Sequence, residues 1–334
     1  MNKITALALG LLFATLWSAC NNEVDLIEEG HDIPVVYGFL DLADTAQYLR
    51  VMRVFGEENT SALQLAQDPD KLYYSDAEVS LRVGDQGERV LLEKVDGALE
   101  GYPRDTGGAL ISPNYLYKVR SGRLNLSGGE EITLQINRGG KTIGESTIHV
   151  LAPFAVRSPV EGDALTWHPR APLTIKWRSS PYAKLYDIKM RIYISEHNLK
   201  TNDWTRKELV WIPVRGQIKR SGTRLYERAI ISANDLYQFL TSNLEPIKDI
   251  ERYWQGADIT IYAGGQEFVD FQQVILANVG LTGSVELPLY SNIQNGLGVF
   301  SSKYHLETNN HTLTKSSIDS IQLNTDTRKL NFKN

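Results

Sequence analysis

The chain has 334 residues, of which 42% are apolar and 22% charged, a balance that excludes a disordered polymer and leaves room for two ordinary domains. Its formal charge is -5 and it has no basic tract, so nucleic acid and a peripheral electrostatic grip on anionic lipid are not expected partners. A single cysteine excludes an intrachain disulfide framework.

In chain order, residues 1–19 read as a secretory signal peptide. Lys3 precedes an apolar run from Ile4 to Leu16 that is too short to span a bilayer, and Ser18 and Ala19 lead to Cys20. This arrangement resembles the processing site of bacterial lipoproteins, although Trp17 stands where leucine is usual and Leu16 lies one place early. The resemblance implies lipidation of Cys20, a membrane partner through that lipid, and a place in the cell envelope, at the outer membrane, with the leaflet left open. Residues 20–31 form the lipidated terminus and an acidic spacer.

Residues 32–152 read as a first β-sandwich. Ile33–Leu40 and Gln47–Phe55 alternate as strands. Glu78–Val83 and Arg89–Val95 flank a glycine-containing hairpin, and Tyr115–Val119, Glu131–Asn137 and Thr142–Val150 complete the unit. Ala152–Pro159 is the seam. Residues 153–310 read as a second sandwich, opened by Ala164–Trp167 and Leu173–Trp177 and continued by Tyr186–Ser195; the strand ending in Trp177 and the long strand after it weakly resemble fibronectin type III modules.

A helical insertion is expected over 232–254. Leu236, Phe239, Leu240 and Leu244 fall near one face behind the cap candidates Ser232 and Asn234, and Pro246 suits the start of a second short helix reaching Trp254. Strands are expected at Asp258–Tyr262, Val274–Val279 and Val299–Leu306. Residues 311–334 read as a polar tail with a helical turn at Ser316–Leu323. The fold class is therefore all-β with a small helical insertion, as tandem immunoglobulin- or fibronectin-like sandwiches.

The run Pro288-x-Tyr290-Ser291-Asn292-Ile293-x-x-Gly296-x-Gly298-x-Phe300, with the early strand Tyr48-x-Arg50-Val51-x-Arg53, resembles an uncharacterised family of Bacteroidota cell-envelope lipoproteins. The resemblance implies compartment and architecture and brings no catalytic residues. Read from the residues alone, Asn295-Gly296 is a turn, and Gly296-x-Gly298 lacks the third glycine and following helix of a dinucleotide loop.

The histidines lack zinc-ligand spacing, and no hydrolase or phosphate-loop motif occurs, so no catalytic, cofactor or metal residue is assigned. The carboxylate pairs Asp76/Glu78 and Asp249/Glu251 are the candidates for a glycan hydrolase, which needs two acids about 5–10 Å apart. Asp68-x-Asp70 suits turn chemistry better than calcium. Trp167, Trp177, Trp204, Trp211, Trp254 and Tyr253 concentrate in the second unit; Trp177 and Trp211 read as core, and Trp204 as a loop residue that either packs onto the domain's own surface or anchors a partner.

The candidate binding surface is therefore Trp204, Tyr290, Asn292, Gly296 and Gly298, for an envelope protein or glycan. Asp44-Thr45-Ala46 and Asp319-Ser320-Ile321 resemble the O-glycosylation site of exported Bacteroidota proteins, which implies modification at Thr45 and Ser320. The expected function is a non-enzymatic binding or assembly module; the alternatives are an extracytoplasmic glycan hydrolase or other envelope enzyme, and a structural spacer.

Overall fold

A computed structural model describes residues 33–54, 67–104, 113–218, 225–278 and 290–334; the leader, Cys20, the spacer and Pro288 lie outside them. The first strands are β1 (Pro34–Asp41), β2 (Ala46–Arg53), β3 (Glu78–Val83), β4 (Arg89–Leu91), β5 (Glu93–Asp96), β6 (Tyr115–Arg120), β7 (Glu131–Arg138) and β8 (Lys141–His149). They are followed by β9 (Val156–Ser158), β10 (Leu173–Arg178), β11 (Leu185–Asn198), β12 (Trp204–Ile218), β13 (Tyr226–Ile231), β14 (Ile250–Gly264), β15 (Leu297–His311) and β16 (Phe332–Lys333). The helices among the described residues are α1 (Pro69–Leu72), α2 (Ala233–Asn243), α3 (Gln266–Asn278) and α4 (Lys315–Leu323). The protein is mostly β-sheet, and its sheets form a sandwich-like body, as the alternation of the sequence implies.

One sheet dominates. Its order is β12-β11-β14-β15-β1-β2-β6-β5, with β16 added in parallel to β14. Two smaller sheets, β4-β3-β7-β8 and β13-β10-β9, lie against it. Successive strand residues point to opposite faces, so the register assigns each side chain a side. Ile188 pairs with Ile261 and Ile261 with Leu306; along β15 the same face reaches Phe300, which pairs with Gly38 and then Leu49. That single face carries both cores. Over β11 and β14 it meets Ile175, Trp177, Ala229 and Ile231 of the three-stranded sheet. Over β1, β2 and β6 it meets Leu81, Ile132, Leu134 and Ile136 of the four-stranded sheet.

Four expectations are corrected. The run closing the second sandwich also belongs to the first core, because Ile293 and Phe300 are buried there and β15, about 50 Å long, crosses both cores. The second helix before Trp254 is instead strand β14: Ile250–Gly264 pairs along almost the whole of β11, and that ladder outweighs the helix-start signal of Pro246. The strand at Val274–Val279 is replaced by α3, whose Phe268 stacks on Phe39 at 5.0 Å and covers part of the outer face.

The polar tail 311–334 is structured. It holds α4 and β16, and Ile321, Leu330 and Phe332 are buried in the second core. By contrast α2 follows its pattern: Ser232 and Asp235 form a capping box, and Leu236, Leu240 and Leu244 are buried.

Candidate binding surface

The outer face of the large sheet, opposite the cores, is built by β11, β12 and β14. Register sets His197 beside Trp204 and Glu251, Ser195 beside Arg206 and Tyr253, and Arg191 beside Val210 and Asp258. β12 is an edge strand, and Trp204, expected in a loop, is instead its first residue, held by pairing with His197 and 57% exposed. The indole stacks on the His197 imidazole (centroids 4.4 Å apart, planes 7° apart) and meets the Tyr253 ring at 5.3 Å. Asn202 Oδ1 lies 2.8 Å from His197 Nε2, and the Tyr253 hydroxyl donates to Glu251 Oε2 at 3.1 Å. The two rings that brace the indole are thus themselves tethered, which lowers the entropy lost when a ligand settles on them.

Beside this platform lies a cleft of about 550 Å³ lined by Tyr193, Arg206, Glu208, Gln255, Asp258 and Asn310. Its floor is a bulge: Tyr193 pairs with Gly256 but Ile194 with Trp254, so Gln255 is the extra residue and the strand bends there. The Tyr193 hydroxyl donates to Asp258 Oδ2 at 2.7 Å, and the Asn310 N–H donates to Oδ1 at 3.1 Å. Burial, then the Asp258 carboxylate, pushes the Tyr193 phenol up, so it remains a hydrogen-bond donor across the neutral range. An apolar plate next to fixed donors and acceptors can bind a sugar ring or an aromatic-poor protein loop.

The structure does not join Trp204 to the rest of the surface expected from sequence. Trp204 sits at the β14 end marked by Glu251, whereas Leu297 begins β15 beside Val35, beyond the opposite end of that ladder. Asn292 is a structural side chain: its amide donates to Phe300 O at 2.6 Å and accepts from Phe300 N at 2.9 Å. A Cβ on Gly296 would lie 2.8 Å from Pro34 O, and Gly298 has φ +105° with its missing Cβ 2.0 Å from Val36 O. These glycines let β15 close on β1 and present no ligand loop. Tyr290 is half-buried against Phe271, and burial, with Asp270 and Glu267 nearby, pushes its phenol up to about 12.

Thr45 is exposed in the β1–β2 turn, whereas Ser320 lies in α4 with its hydroxyl bonded to that of Tyr237, a poor acceptor for a glycan. The carboxylate pairs do not face one another as acid and base. Arg138 holds Asp76 at 2.8 Å; Lys200 binds Asp249 at 2.6 Å and Lys333 lies 3.5 Å from Glu251. Asp68 caps α1 through Asp70 N, which is turn chemistry. Among the described residues no group of three or more His, Cys, Asp or Glu side chains is placed to hold a metal ion. Trp177 is fully buried and Trp211 stacks on Trp167 and Phe239.

His197, Arg206 and Asp258 were not singled out from sequence. Their shared signal is position on the polar face of alternating strands, and it acquires meaning only through the β11 register.

No family profile matches the chain, and no curated protein matches it. Among solved structures, a cytokine receptor complex aligns over 84% of this chain and 99% of its own, at 11% identity and TM-score 0.23. A tetra-tandem repeat from the extending region of a large adhesion protein aligns over 83% and 49%, at 10% identity and TM-score 0.16. Scores this low carry no argument about what the chain is or does.

Proposed function

We propose that this protein is a non-enzymatic binding or assembly module of the cell envelope, anchored by lipid at Cys20, that holds a glycan or protein partner on the outer face of its large sheet. The observation supporting this is the Trp204–His197–Tyr253 platform, an exposed indole braced by two rings beside a polar cleft. A solvent-exposed tryptophan is costly to maintain and is enriched where partners bind. The Cys20 anchor rests on the sequence between Lys3 and Cys20, and two or three acyl chains would hold it stably. Among the described residues no helix is long and apolar enough to cross a membrane.

The test uses the full chain, as wild type and as Trp204→Ala, immobilised and exposed to solubilised envelope from its parent cell. The reading expects retention of a defined glycan or a stoichiometric protein, reduced at least tenfold in the variant. Equal retention by both, or turnover of a glycan by the wild type, contradicts it. Mass spectrometry of the membrane fraction tests the anchor: an acylated Cys20 terminus is expected, and an intact Met1 terminus would overturn it.

A further inference from the structure

A second cluster lies toward the other edge of the large sheet, where β2 runs past the start of β6. The β2–β6 ladder ends at Leu49 and Tyr117, so Arg50 stands just beyond it, paired across β1 with the exposed Tyr37. Arg50 Nη2 donates to Asn114 Oδ1 at 3.2 Å, and Arg104 Nη2 donates to the Tyr73 hydroxyl. Both acceptors are neutral. The Nε atoms of Arg50 and Arg104 are buried with no hydrogen-bond partner, and neither guanidinium makes an ion pair among the described residues. Lys94 is separate from this pair: its Nζ donates to Tyr74 O at 2.6 Å and lies 4.5 Å from the Tyr115 ring centre and 5.9 Å from that of Tyr73.

The arrangement is electrostatically unfavourable by itself. Burial, then the charge of Arg104, lowers the Arg50 pKa, with Tyr73 and Tyr37 acting in the opposite sense. Asp70 acts on Lys94, not on the two arginines. Like charges brought together with orphaned donors cost stability unless an anion accepts from them. Guanidinium forks match tetrahedral oxyanions and carboxylates in geometry. The charge decides between these: one carboxylate would leave one of the two arginines uncompensated, whereas a doubly charged oxyanion matches both.

We propose that Arg50 and Arg104 form a binding site for a doubly charged phosphate or sulfate, free or carried as a phosphomonoester on a lipid headgroup. The site is separate from the Trp204 platform and does not depend on that reading.

Inorganic phosphate and sulfate are titrated into the full chain by calorimetry against chloride at constant ionic strength. Saturable binding is expected, weakened at least tenfold in Arg50→Gln and in Arg104→Gln and unchanged in Arg123→Gln, which removes an exposed charge elsewhere. Melting in chloride separates this from misfolding: the two site variants should melt no lower than wild type, since a like-charge contact has been relieved. Arg104→Lys, which keeps charge without the fork, should bind between the two. Co-sedimentation with phosphatidic acid vesicles, whose phosphomonoester carries the second charge, against phosphatidylcholine alone, distinguishes the sources. Arginine-dependent sedimentation without binding of free phosphate assigns the group to a lipid. Absence of binding in both arms, or binding equal in wild type and both glutamine variants, overturns the proposal.

Discussion

Arg252 shows how much a single side chain can organise. It is fully buried, and its fork spends three donors: Nε to Glu196 Oε1, Nη1 to Leu330 O and Nη2 to Glu245 O, each at 2.8 Å. Lys207 approaches Glu196 from the edge strand at 3.2 Å. Removing one partner from such a pair leaves a buried charge, so Arg252→Met should lower unfolding free energy by about 3–5 kcal/mol. Arg252→Met combined with Glu196→Leu should recover much of that loss. Urea unfolding of the three variants checks it; additive losses would contradict the coupling.

Tyr117 and Tyr290 make a pH prediction at the same scale. Burial first, with Asp76 for Tyr117 and Asp270 and Glu267 for Tyr290, pushes both phenols up to about 12. An unfolded tyrosine titrates near 10, so between roughly pH 10 and 12 the native state binds more protons than the unfolded one. Their contribution is therefore intact below about pH 10 and is lost as pH rises toward 12. Ultraviolet titration of the native chain should place these two among its late phenols, and stability should fall over that interval. Flat stability there would contradict the burial.

Residue by residue, the sequence is read best where local chemistry decides. The Asn295-Gly296 turn and the positive φ allowed to Gly298 were both legible, whereas the need for Gly298 was not, since the Val36 carbonyl it must pass lies some 260 residues away.

Among elements, α2 was legible because its cap and its apolar spacing agree. β14 was not, because Pro246 and the charged run after it carry a helix-start signal that only pairing with β11 overrides. α3 was missed because its apolar residues match either period over so short a run. The C-terminal segment was misread for a related reason: its buried residues are few and spaced by polar ones. They are nonetheless placed in the second core, and β16 pairs with Arg252 and Tyr253. Deleting residues 325–334 removes the buried Leu330 and Phe332, worth about 3–6 kcal/mol together by burial, and strips Arg252 of an acceptor. The truncated chain should unfold at clearly lower urea, and an unchanged midpoint would contradict the packing.

For the whole molecule, two cores were legible from the two sets of alternating strands, but their common sheet was not. That sheet depends on the parallel pairing of β1 with β15, a contact between strands some 260 residues apart that no local pattern records. Ser302 reinforces it, donating to Leu40 O at 3.2 Å while accepting from Leu151 N at 2.9 Å. With both small sheets on one side, the other side is left to α3, to the loop carrying Glu100 and Tyr102, and to solvent, and the Trp204 platform stands on the uncovered part. On the proposed function, a partner occupies this face in the envelope. Hydroxyl-radical footprinting of Trp204 in intact envelopes and in the purified chain tests it, with Leu99, 87% exposed, as the reference. Trp204 should be protected in the envelope and oxidised when purified, while Leu99 reacts in both; equal oxidation of Trp204 in the two states would contradict the claim.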